Sequence, residues 1–162
     1  MTATYEKIAT TTLGSDTASV TFSSISSAYT DIVLIINGSF SSSENSYGMR
    51  VNSDTASNYS STALYGDGSS AASLRQSNQT RMYVGRASTS NSTSIIQIQN
   101  YSNTTTYKTV LSRGNSNSYV MTTVALWRST SAINSITIAQ FDFGAINLST
   151  GSTFTLYGIK SE

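Results

Sequence analysis

The chain has 162 residues, no Cys, no His and a net formal charge of +1. These counts exclude a disulfide framework, thiolate or imidazole metal sites, and any nucleophile that needs a histidine base. Nine Lys and Arg are too few for a basic stripe along nucleic acid, and no apolar run approaches the ~20 residues that cross a bilayer.

In chain order, candidate strands run over Tyr5–Leu13, Ala18–Phe22, Thr30–Phe40, Tyr47–Asn52, Thr80–Arg86, Ser94–Tyr101, Tyr107–Arg113, Tyr119–Arg128, Ile133–Phe143 and Ser152–Lys160. Their signal is alternation: Val20 and Phe22 share one face, Ile96 and Ile98 another, with Gln97 and Gln99 opposite. Ser, Asn and Gly cluster between them as turn formers. Asn58–Leu74 is ambiguous and admits a short helix. The 33 Ser, 24 Thr and 12 Asn would suit a disordered chain. Yet ten Tyr, five Phe, one Trp and no Pro spread through alternating segments point instead to strands with polar loops. The reading is all-β: a single antiparallel β-sandwich of jelly-roll type over residues 1–162. The N-terminus Met1-Thr-Ala-Thr-Tyr-Glu-Lys7 has no signal-peptide pattern, so a soluble, unprocessed product is expected.

Two strands carry apolar residues on both faces. Ile32-Val-Leu-Ile-Ile36 is one. The other is Tyr119–Trp127, with Val120, Val124 and Leu126 on one side and Tyr119, Met121 and Trp127 on the other. A sandwich buries one face of each sheet, so the second needs a cover: a folded-over loop or a neighbouring subunit. Val33, Ile35, Tyr119, Met121 and Trp127 are the candidate subunit interface.

The described chemistry is sparse. The acids Glu6, Asp16, Asp31, Glu44, Asp54, Asp67, Asp142 and Glu162 fall in loops or strand ends beside Ser, Asn or Gly, where carboxylates solvate or form Asx turns. A glycosidase would need two of them set across a sugar. No catalytic residue is assigned. Asp54 with Asn58, and Asp67 between Gly66 and Gly68, offer oxygen ligands for calcium but lack EF-hand spacing; turn formation is preferred, and no metal or cofactor is expected. Tyr47, Tyr59, Tyr65, Tyr101 and Tyr119, as exposed aromatics in loops, are candidates for stacking on sugar rings, but the preferred reading is that they cover the sandwich edge with their hydroxyls in water. Arg50, Arg81, Arg86 and Arg113 are candidates for contact with an acidic partner, but solvated strand residues or cross-strand pairs are the preferred reading.

The closing segment Gly151-Ser-Thr-Phe-Thr-Leu-Tyr-Gly-Ile-Lys160 resembles the ending, roughly GS-x-F-x-LYGI, of small virion structural proteins of tailed bacteriophages. The resemblance extends to Tyr47-Gly-Met-Arg-Val-Asn52, Asn58-Tyr-Ser60, Asn100-Tyr-Ser102 before Lys108, and Trp127 ahead of Ala132-Ile-Asn-Ser-Ile136. It implies a jelly-roll β-sandwich with no enzymatic activity, made in the host bacterial cytoplasm and incorporated into the virion. The expected role is capsid decoration, cementing the head shell as a homotrimer against the major capsid protein or another virion protein. The alternative is a receptor- or carbohydrate-binding module of a tail or head fibre. Neither implies contact with nucleic acid or membrane.

Overall fold

The computed structural model describes residues 4–144 and 146–160, so the acid Glu162 lies outside the described residues. These form twelve strands and no helix: β1 Tyr5–Thr12, β2 Ser19–Phe22, β3 Asp31–Gly38, β4 Asn45–Val51, β5 Tyr59–Gly66, β6 Ala71–Gln79, β7 Met82–Ala87, β8 Ser92–Ile98, β9 Lys108–Asn115, β10 Val120–Trp127, β11 Ile136–Gln140 and β12 Thr153–Ile159. They make two antiparallel sheets packed face to face. The larger has eight strands in the order β1-β12-β3-β8-β9-β10-β5-β6, the smaller four in the order β2-β11-β4-β7. The all-β sandwich is therefore as expected from alternation, with strands divided eight and four.

The core follows from that alternation. Ile32, Leu34 and Ile36 of β3 and Phe154 and Leu156 of β12 point inward, against Val20, Phe22, Met49, Val51, Ile136 and Ile138 of the small sheet. Complete burial of such a side chain contributes about 1.5–3 kcal/mol each. The last strand pairs with the first and with β3, so Phe154 lies across from Ile36 and Leu156 from Leu34. Gly158 in this strand has a specific use: the Tyr29 ring covers it so closely that a Cβ would stand 2.3 Å from ring carbons.

A second packing rule governs the centre of the large sheet. There β7, the edge of the small sheet, lies across β8, β9, β10 and β5. The inward positions beneath it are small: Ser94, Ser112, Thr123, Ala125, Ser61 and Ala63 are all buried. Small side chains let the crossing strand approach, and the free edge of β7 is partly satisfied there, since Tyr83 N donates to Ser61 Oγ at 3.0 Å. On the other side of the small sheet, Phe141–Gly144 folds over β4. A Cβ on Gly48 would meet the Phe141 Cα and carbonyl oxygen at 2.9 Å.

Three expectations are corrected. Asn58–Leu74 is neither loop nor helix but the hairpin of β5 and β6, turned by Asp67, whose Oδ1 accepts from Ser69 N at 2.9 Å and Ser70 N at 2.7 Å. The segment hid because Ser61 and Ala63, the inward residues of β5 beneath β7, are small and β6 buries neither face. The strand anticipated over Ile133–Phe143 is the shorter β11; Phe141 and Phe143 leave the ladder to cover the small sheet's outer surface. In β10 it is Met121 and Trp127 that face inward, at 7% and 3% exposure. They are packed inside the chain and do not form an outer patch.

Candidate functional site

With the inner face of β10 assigned, its opposite face is the open one. Val120 is 66% exposed and Val124 51%, and beside them on β5 Leu64 is 57% exposed. The register places Val124 between Leu111 of β9 and Thr62 of β5, and Thr122 between Arg113 and Leu64. The outer surface of β9, β10, β5 and β6 is thus a band of aliphatic side chains among hydroxyls. Open depressions of about 710, 510 and 320 Å³ all lie along it. The largest exists where Gly66 and Ala71 leave the end of the β5–β6 hairpin without bulk.

The charge on this face is one-sided. β8, β9, β10, β5 and β6 contain no Asp or Glu. Arg75 on β6 and Arg113 on β9 project from them, and Arg128 follows β10. Arg128 is tied down by Ser60 Oγ at 2.6 Å and Asn78 Oδ1 at 2.9 Å. Arg75 has no ion pair or side-chain hydrogen bond among the described residues.

The residues expected at a subunit interface separate. Val33 points outward but is closed over within its own sheet, beside Tyr157 and Gln97. Ile35 is half-buried between Thr155 and Ile95. Tyr119 stacks edge-on against Tyr65 at 5.7 Å and lies under the Arg86 guanidinium at 4.6 Å. Met121 contacts the Tyr83 hydroxyl. Trp127 lies parallel to Tyr59 in the core. The faces of β10 were distinguishable in the sequence, but which one met the small sheet was not.

Most of the proposed glycan platform is likewise internal. Tyr47 and Tyr59 are fully buried, Tyr47 against Phe40 at 4.8 Å and Tyr59 donating to the Asp54 carbonyl at 3.0 Å. Burial pushes both phenols well above the usual tyrosine range; at Tyr59 the hydrogen bond its oxygen accepts from the Val51 amide only partly offsets it. Tyr101 is buried too, with its hydroxyl donating to the Ser26 carbonyl. Tyr65 is half-buried. No stacking surface remains at Tyr47, Tyr59 or Tyr101.

Several polar candidates have structural work instead. Asp54 accepts from Trp127 Nε1 at 2.7 Å, Ala56 N at 2.8 Å and Asn58 Nδ2 at 3.0 Å, which turns donors, not ligands, toward its carboxylate. Burial raises its pKa, but those bonds outweigh burial and hold it below the usual carboxylate value. Asp67 is consumed by its turn and held down to about 2 by the Ser69 and Ser70 amides. Arg81 pairs with Asp142 at 2.6 Å and covers Phe141, while Arg86 pairs with Glu44 at 3.2 Å. Arg50 lies 3.8 Å over Phe143. These three arginines brace loops, and Arg113 reaches Gln97 at 3.5 Å.

No protein-family model matches the chain, and no curated protein does. Among solved structures, the alginate lyase Aly36B aligns at 9% identity over 93% of this chain and 77% of its own, with a TM-score of 0.39. A variant of that lyase in complex with alginate trisaccharide aligns at 7% identity over 87% and 80%, with a TM-score of 0.30. A likeness of this extent carries no functional weight.

Proposed function

We propose that the chain is a non-enzymatic structural protein of a tailed-phage virion, a capsid decoration protein that assembles as a homotrimer and cements the head shell. The supporting observation is the outer face of β9, β10 and β5, where Leu64, Leu111, Val120 and Val124 remain exposed. Contiguous exposed aliphatic surface of this kind marks a contact with another protein. In this reading each copy adds apolar contact area across joints in the shell, and the linked copies of a trimer convert modest contacts into firm attachment by avidity. The role in the virion comes from the resemblance of Gly151–Lys160 and its companion motifs.

The lack of enzymatic activity is part of the same proposal. Asp54, Asp67, Glu44 and Asp142 all have partners that hold turns and loops. Image reconstruction of the intact virion tests the placement. Density for this chain on the head shell is expected; density at the tail tip, or none, overturns it. Turnover of a glycan panel that disappears on Asp→Asn substitution would overturn the non-enzymatic reading.

A further inference from the structure

Each sheet has two edge strands, and three of the four edges carry a recognised safeguard against pairing with another chain. The edge of β7 is turned onto the large sheet, with Tyr83 N bonded to Ser61 Oγ. β2 is four residues long. β1 has a bulge between Lys7 and Ala9 and places Glu6 and Lys7 beside it. β6 differs. It is nine residues long, has no Pro or Gly, and contains one charge, Arg75. Its irregularity lies at the far end, leaving Ala71–Gln76 in unbroken register with Gly66–Ser61.

β6 also buries neither face, and Leu74 on it remains 38% exposed. A strand gains little from forming when it covers no apolar surface. Half of its backbone N–H and C=O groups point away from β5, as antiparallel geometry requires. Beside this edge lies a face whose strands have no carboxylate and on which Arg75 is unpaired.

We infer that Ala71–Gln76 is a strand-acceptor edge, and that its occupant is an extended segment of another protein carrying a carboxylate opposite Arg75. The backbone ladder supplies binding; the side-chain alternation supplies register. On the outer face, the side chain two residues from the acid lies against Ser73, at the rim of the aliphatic depression that Leu64 and Val120 line, and the acid meets the Arg75 guanidinium on the same face. This inference stands on edge geometry and charge, independently of any placement in a virion.

The test uses the full chain and a fluorescent acetyl-Val-Thr-Glu-Thr-Val-Thr amide, whose Val and Glu side chains share one face, followed by anisotropy. The peptide is expected to bind about fivefold more tightly than its Glu-to-Lys counterpart, the size of one favourable surface ion pair. Methylating alternate backbone nitrogens of the peptide should abolish binding. Amide exchange at Ala71–Gln76 should slow on binding. Arg75→Glu, which keeps the strand and is checked by circular dichroism, should reverse the Glu-over-Lys preference. Equal affinity for both peptides, insensitivity to N-methylation, or no binding at about millimolar peptide overturns the inference. So does a two-fold dimer in sedimentation whose Ala71–Gln76 amides are already protected, since a second copy would then be the occupant. Loss of the virion role would show only in the image reconstruction.

Discussion

Asp54 illustrates how a surface carboxylate becomes structural. Its three donors come from the backbone of Ala56, the amide of Asn58 and the indole of Trp127, the last from a strand far away in sequence. Asp54→Ala leaves that indole N–H without its partner and should cost about 1–3 kcal/mol, measured by urea unfolding. Because Trp127 is the only tryptophan, its emission reports the same change directly. The pH dependence follows from direction. Asp54 and Asp67 both have folded pKa values below the unfolded value near ~3.9. Their stabilisation is complete above that value and is lost as pH falls through the folded pKa, toward about 2 for Asp67. Thermal melts should therefore fall less steeply with acid in Asp54→Ala than in the parent. Lys108 is the other telling residue: it is buried, with its Nζ donating to the Thr106 and Thr130 carbonyls at 2.7 and 3.1 Å. Burial lowers its pKa, and the sequence had suggested only a strand end.

At the scale of elements, close approach decides what is tolerated. Gly158→Ala must displace the Tyr29 ring, and Gly48→Ala must lift the Phe141 backbone. Each should destabilise by about 1–3 kcal/mol, read from the urea midpoint, as for overpacked cores. The two faces of β10 give a sharper contrast. Met121→Asp places a charge inside the chain against Tyr83 and should abolish the native β signal. Val124→Asp places the charge on the open face and should leave the circular dichroism unchanged while weakening assembly measured by light scattering. Unfolding of both variants would contradict the assignment of faces.

For the whole molecule, the ladder joins the first and last strands among the described residues: Tyr5 pairs with Ile159, and β12 separates β1 from β3. Removing 153–160 leaves β3 with an exposed edge rich in Ile and Leu, so the truncated chain should aggregate rather than fold. Intact, the protein should show a β-dominated spectrum and scatter light as a trimer at micromolar concentration. A monomer refutes self-association, and a stable dimer refutes threefold assembly.

The sequence by itself determined the class of fold. Alternation at Val20–Phe22, Ile96–Ile98 and Phe154–Leu156 requires half-buried strands, because side chains reverse face at every residue. It also determined that β10 has two unlike apolar faces. Only the tertiary structure decided which face is open, since period-2 patterning is symmetric until a second sheet packs on one side. The same holds for β5 and β6. Ser61 and Ala63 look uninformative in isolation, and their smallness acquires meaning only from β7 crossing above them. The tyrosines divide for the same reason. Tyr47 and Tyr59 share the loop-flanking context that suggested exposed rings, yet the sheets close over both because core space lies on their side of the strand.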